Sequence, residues 1–171
     1  MRKIISKIRV LFANNQEFIK ELRKQGVKIG EGCVIDKSAI FGSEPYLISI
    51  GNKVRITHGV KFITHDGGLW VLRNLGLLPE SADRFGRIEV GNNCNIGWNA
   101  IIMPGVIIGD NCVIGCGAIV TKSIPDNSIV AGVPARVIES IEEYCNKNKT
   151  RYVPTKHLSD EEKKLYLSEV L

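Results

Sequence analysis

From Val90 onward an aliphatic residue returns every six positions, at Val90, Ile96, Ile102, Ile108, Ile114 and Val120. Four residues after each, Cys94, Ala100, Val106, Cys112, Ala118 and Ile124 form a second column of small or aliphatic residues. A helix repeats near 3.6 and a half-buried strand alternates strictly, so a six-residue period excludes both as the main element. It predicts a solenoid in which each unit supplies one short strand and one turn, and flat rungs stack like side chains in an inner column. Gly91, Gly97, Gly109 and Gly115 directly follow the aliphatic residue, where a backbone without Cβ can turn a tight corner.

An earlier run carries the pattern with interruptions. Ile29 to Ile40 and Ile50 to Lys61 read as repeats, but the step from Ile35 to Ile50 is not a multiple of six. Ser43-Glu44-Pro45-Tyr46 therefore forms a bulge or corner insertion. Between Phe62 and Val90 the repeat is lost, and residues 66–87 read as a loop thrown out from the coil. Long loops in compact domains are functional or disordered, and Trp70 and Phe85 argue against disorder. The expected organisation is an N-terminal helical cap over 1–27, a coil over 28–138 and a helical tail over 139–171. Ile4, Ile5, Ile8, Leu11 and Phe12, then Phe18, Ile19 and Leu22, suit amphipathic helices covering the coil end. In the tail, Ile138 to Lys147 reads as helix, and Ser159-Asp160-Glu161-Glu162 is a capping box opening a last one.

The chain has 171 residues, 44% of them hydrophobic and 24% charged, with a net charge of +5. That composition suits one folded soluble domain. The basic residues are interspersed with acidic ones, and no recognition helix or stacking motif supports nucleic-acid binding. Five cysteines are an odd count, and Cys33, Cys94 and Cys112 occupy small-residue slots of the repeat. They read as buried thiols in a reducing compartment, the cytoplasm. The basic N-terminal segment lacks the apolar run and cleavage site of a signal peptide, and nothing is long enough to span a bilayer. Peripheral contact with an anionic membrane stays open.

Because the repeat buries its own side chains, chemistry must come from corners, the loop or surfaces between subunits. Of the three histidines, His58, His65 and His157, only His65 stands where the repeat breaks, in Phe62-Ile63-Thr64-His65-Asp66-Gly67-Gly68. A side chain on a rigid rung beside a cover is preorganised yet reachable, which suits a general base. His58 sits at a turn inside a repeat and His157 in the tail.

The units Ile96-Gly97-Trp98-Asn99-Ala100-Ile101, Ile108-Gly109-Asp110-Asn111-Cys112-Val113 and Ile114-Gly115-Cys116-Gly117-Ala118-Ile119 precede Val120-Thr121-Lys122-Ser123-Ile124-Pro125 and Ala131-Gly132-Val133-Pro134-Ala135-Arg136. Together they resemble the hexapeptide-repeat acyltransferases over about residues 28–138, in the branch of maltose, galactoside and capsular-polysaccharide O-acetyltransferases and streptogramin-type xenobiotic acetyltransferases. The resemblance implies an all-β solenoid, a left-handed parallel β-helix with a protruding loop. It also implies a homotrimer, acetyl-CoA between neighbouring coils, and His65 taking a proton from an acceptor hydroxyl that attacks the thioester directly. By the same resemblance Trp98, Cys116, Thr121, Lys122 and Arg136 touch CoA, with Lys122 and Arg136 as partners of its phosphates. Trp98 is larger than the small residue common at its position, and either closes the thioester end of the groove or packs against the loop. Cys116 reads as a small wall residue, not a nucleophile.

The repeat fold also supports zinc enzymes with three histidines on neighbouring rungs, but only His58 and His65 are so placed, and the cysteines lack paired spacing, so no metal is expected. Trp70, Arg73, Arg84 and Phe85, with Arg87 beside them, are the candidate acceptor contacts on the loop: aromatics stack on sugar faces and arginines fork to carboxylates. The same residues could instead pin the loop to a neighbouring subunit. The expected activity is O-acetyl transfer to a sugar or cell-surface polysaccharide precursor. Acetyl transfer to a xenobiotic or amine, and a non-catalytic repeat scaffold, are the rival expectations.

Overall fold

The computed structural model describes residues 14–171, so the N-terminal helical expectation over Ile4 to Phe12 lies outside the described residues. The chain divides into two compact units, Met1–Ile141 and Glu142–Leu171.

In the first unit the six-residue pattern becomes three sheets wound around one core. The first sheet stacks β1 (Lys28–Ile29), β3 (Ile48–Ile50), β6 (Ile88–Val90) and β9 (Ile107–Ile108). The second stacks β2 (Val34–Ile35), β4 (Arg55–Ile56), β7 (Asn95–Ile96), β10 (Val113–Ile114) and β12 (Ser128–Gly132), with β13 (Ala135–Ser140) at its edge. The third stacks β5 (Lys61–Phe62), β8 (Ile101–Ile102) and β11 (Ile119–Val120). All pairs are parallel except β12 with β13. Regular rungs pair residues eighteen apart, as in Asn95↔Val113 and Ile101↔Ile119.

One buried residue per corner-to-corner step fills the inner column: Ile29, Ile35 and Phe41, then Ile50, Ile56 and Phe62, then Val90, Ile96 and Ile102, then Ile108, Ile114 and Val120, and last Ile124 and Val130. Each fully buried aliphatic or aromatic side chain contributes about 1.5–3 kcal/mol of transfer free energy, and stacking makes the gain repeat. The turns from the first sheet to the second, and from the second to the third, advance this column by six residues at every rung. The third corner does not. There the advance is nine residues from Phe41 to Ile50, twenty-eight from Phe62 to Val90, six from Ile102 to Ile108 and four from Val120 to Ile124.

The corner glycines act differently from the sequence expectation. Gly97 has no left-handed φ; instead, a Cβ there would lie 2.7 Å from the Cys116 nitrogen and the Ile114 oxygen of the next rung. The left-handed positions are taken by asparagines such as Asn93, Asn99 and Asn111, residues that tolerate that region. At the first corner these turns stack into a ladder, with Asn93 donating to Asn111 and Asn111 to Asn127, both at 2.9 Å.

Helix α1 (Asn15–Lys24) opens on a capping box between Asn14 and Glu17 and buries Phe18, Ile19 and Leu22 in the core. The Asn15 side chain donates to the Ile35 carbonyl at 2.9 Å, and Arg23 to that of Ile29 at 2.9 Å, so the helix satisfies backbone acceptors of the first rung. At the other end Ile138 belongs to strand β13, not to a helix, and the strand runs to Ser140, past the expected coil boundary at 138. The Gly132-Val133-Pro134 turn sends the chain back antiparallel against β12, so helix α3 starts only at Ile141 (Ile141–Asn148). In the second unit, α4 (Asp160–Val170) opens on the capping box between Ser159 and Glu162. No helix among the described residues is long and apolar enough to cross a membrane.

Candidate active site at the irregular corner

His65 lies at the third corner, three residues past the buried Phe62 of β5, where the twenty-eight-residue excursion begins. The two ends of that excursion are zipped together: Gly86 donates its N–H to the Thr64 carbonyl and Asp66 to the Arg84 carbonyl, each at 2.9 Å, and His65 bridges Phe85. The histidine therefore stands on a fixed stem, with its ring 6.3 Å from that of Phe85.

The nine-residue excursion one rung below brings up a partner that the sequence did not suggest. Glu44 directs Oε2 at His65 Nδ1 at 3.2 Å and accepts the Thr64 hydroxyl at 2.6 Å. Ser43 Oγ is 3.4 Å from the same histidine nitrogen. Hydrogen bonds from Thr64 and then Ser43, with His65 beside them, hold the Glu44 carboxyl below the usual carboxylate range. An ionised carboxylate can only accept, so Nδ1 carries the proton and donates it to Glu44, leaving the Nε2 lone pair free. The Glu44 side chain is 17% exposed and that of His65 48%, so the orienting group is sheltered while the ring stays reachable.

The loop holds a short helix, α2 (Leu69–Asn74). Arg73 donates to the Ala82 carbonyl at 2.5 Å and to Asp83 at 2.8 Å, bracing the loop across itself. Arg84 lies 3.7 Å from Asp66. Trp70 and Phe85 remain exposed.

The residues expected at a cofactor fall on two corners. Thr121 and Lys122 follow β11 at the third corner, on the same edge as His65. Trp98 and Cys116 follow β7 and β10 at the second corner, in a column with Lys37 and His58. Arg136 lies in β13 and donates to the Ala135 carbonyl at 2.8 Å. The Trp98 ring lies 5.2 Å from that of His58 on the rung below. Cys116 is exposed, while Cys33, Cys94 and Cys112 are buried.

His58 has its own network. Its Nδ1 is 2.9 Å from Ser38 Oγ and 3.4 Å from Asp36. The Ser38 hydroxyl donates to Asp36 at 2.5 Å and accepts the Gly59 N–H at 2.8 Å. The serine proton thus already goes to the carboxylate, and serine and aspartate crowd the same histidine nitrogen, so this is no Ser-His-Asp relay. Among the described residues, no group of three or more His, Cys, Asp or Glu side chains could hold a metal ion.

The family model "Hexapeptide repeat of succinyl-transferase" matches residues 87–122. Protein CapG of Staphylococcus aureus is 57% identical over 86% of this chain and 85% of its own length. The chain belongs to the hexapeptide-repeat acyltransferases. The galactoside O-acetyltransferase of Escherichia coli K12 is 59% identical over a shorter stretch, 32% of this chain and 27% of that protein. Among solved structures, a galactoside acetyltransferase in complex with coenzyme A superposes with a TM-score of 0.58 at 29% identity, covering 81% of this chain and 78% of that one. A maltose O-acetyltransferase from Clostridium difficile 630 gives a TM-score of 0.51 at 27% identity, over 81% and 85%. The three-sheet coil of this acyltransferase is thus the left-handed β-helix of its family.

Proposed function

We propose that this acyltransferase moves an acetyl group from acetyl-CoA to a hydroxyl of a sugar or cell-surface polysaccharide precursor, with His65 as general base. The observation that carries this is the Glu44–His65 pair, a sheltered carboxylate 3.2 Å from Nδ1 that leaves Nε2 as the proton acceptor. The acceptor oxygen attacks the thioester carbonyl as Nε2 takes its proton. The tetrahedral intermediate then collapses, the carbon–sulfur bond breaks, and the imidazolium returns the proton to the departing thiolate. A backbone N–H of a neighbouring rung would serve the developing oxyanion. No covalent enzyme intermediate is required.

In this proposal the donor rests against Trp98, Cys116, Thr121, Lys122 and Arg136, with the two cations toward its phosphates. Trp98 and Cys116 occupy one corner while Lys122 shares the other with His65, an arrangement that favours a site assembled between copies and so a homotrimer. Trp70 and Phe85 cover the acceptor, and Arg73 braces that cover. Acetyl-CoA as donor fits a cytoplasmic protein.

The test is acetyl-CoA turnover read as released thiol, with a panel of sugars. Removing a positioned base costs about 10²–10⁴ in rate, so His65→Ala should lose that much with its melting temperature intact. Glu44→Gln should lower kcat by roughly ten- to a hundredfold while leaving the KM for acetyl-CoA in place. Sugar-dependent release that survives His65→Ala would end the proposal.

A further inference from the structure

We infer that the groove beside the second corner is the acceptor subsite, and that it selects an acidic sugar through Arg55. This rests on the acyl-transfer proposal and names the substrate class for it. The groove encloses about 420 Å³, within the range of roughly 300–1,000 Å³ typical of small-molecule sites, and its lining includes Val34, Asp36, Lys37, Arg55, His58 and Trp98.

Arg55 is the outward residue of β4. Its ladder neighbours are Val34 below and Asn95 above, so no acid flanks it on its own sheet face. Three other arginines are paired with acids, Arg23 with Glu31 at 3.0 Å, Arg73 with Asp83 at 2.8 Å and Arg84 with Asp66 at 3.7 Å; Arg87, Arg136 and Arg151 have no such pair among the described residues but do not line the groove. Among the described residues no ion pair includes Arg55. Of the loop arginines that the sequence suggested for an acid, Arg73 and Arg84 face loop carboxylates, whereas Arg55 offers its fork to the groove. A guanidinium presents paired donors that match a carboxylate or phosphate.

The rest of the groove suits a sugar. Trp98 is 57% exposed and its ring is backed by His58, which offers a flat apolar face for a pyranose. Asp36, held ionised by hydrogen bonds from the Ser38 hydroxyl and N–H, can accept a sugar hydroxyl. With Lys37 and Arg55 against Asp36, the wall carries net positive charge. Trp98, one rung below Cys116, is also a proposed donor contact, so a ligand in this groove adjoins the donor, with His65 supplied by another copy in the proposed trimer.

The experiment measures binding of galacturonic acid, galactose 1-phosphate and galactose to the full chain by calorimetry without acetyl-CoA, then thiol release with the same sugars. Wild type, Arg55→Gln and Arg55→Lys are compared. We expect one or both acids to bind about ten- to a hundredfold tighter than galactose, the preferred acid showing whether the fork takes carboxylate or phosphate. Arg55→Gln should abolish that preference and Arg55→Lys retain part of it, with acetyl-CoA affinity unchanged and thiol release in the same order. Equal affinity for galactose, or a preference that survives Arg55→Gln, overturns the inference while leaving acyl transfer standing. Acid-selective binding with no thiol release from any sugar overturns acyl transfer, and the acceptor role of the groove with it.

Discussion

The second and third corners of the coil are built from the same strands yet obey opposite rules. At the second, every turn takes the same number of residues, and Lys37, His58, Trp98 and Cys116 stack in register. At the third, the turns range from four residues to twenty-eight, and the excursions bring Glu44, Thr64 and His65 together. Regularity makes a wall whose chemistry varies by side chain alone. Irregularity lets backbone from two rungs converge on one ring, which a strict hexapeptide turn cannot do. The β-helix tolerates this because a loop leaving a corner need not disturb the inner column: Phe62 and Ile102 still pair across it.

The largest stability effect should come from that column and be indifferent to corner type. Ile102 is fully buried between Phe62 and Val120 of the adjoining rungs. Truncating it to alanine should cost about 2–5 kcal/mol, measured by denaturant unfolding. A loss under about 1 kcal/mol would mean that the column relaxes and that the rungs are not rigidly stacked.

Glycine substitutions separate the corners next. Gly97 faces the backbone of the following rung, 2.7 Å from where a Cβ would sit. Gly97→Ala should therefore cost about 1–3 kcal/mol by overpacking. Gly67, in the loop of the third corner, has nothing within 4 Å of that position and no left-handed φ. Gly67→Ala should stay within about 0.5 kcal/mol of wild type. If thermal melts rank the two the other way, the loop stem and not the coil sets the stability of this region.

This contrast also explains what could be read from the sequence. The columns from Val90 to Ile124 announced the coil because a solenoid writes its core contacts into a fixed period, and His65 was visible because it stands at the break. Glu44 was not, because it lies twenty-one residues upstream in a short insertion whose only sequence mark is a lost register. Which corner an insertion occupies follows from the summed turn lengths, and those become clear only once the inward residues are known. Arg55 escaped notice for the opposite reason: it sits in a regular repeat, at an outward position where any polar residue fits.

The smallest effect tests the carboxylate at the centre of the irregular corner. Glu44 has its pKa lowered from 4.5, with the Thr64 hydroxyl bond as the main cause. A folded-state value below the unfolded one means that the ionised form is stabilised by folding. The contribution is therefore complete above pH about 4.5 and fades as pH falls through the lower folded value. Asp36 and Glu162 are lowered as well, so acid will destabilise the wild type at several places together. Glu44→Gln retains an acceptor for Thr64 but cannot titrate, and it leaves the other two carboxylates unchanged. The difference in melting temperature between wild type and this variant should then shrink as pH falls below about 4.5. A difference that holds steady down to pH 3 would show that Glu44 contributes shape and not charge, and the tautomer argument for His65 would lose its footing.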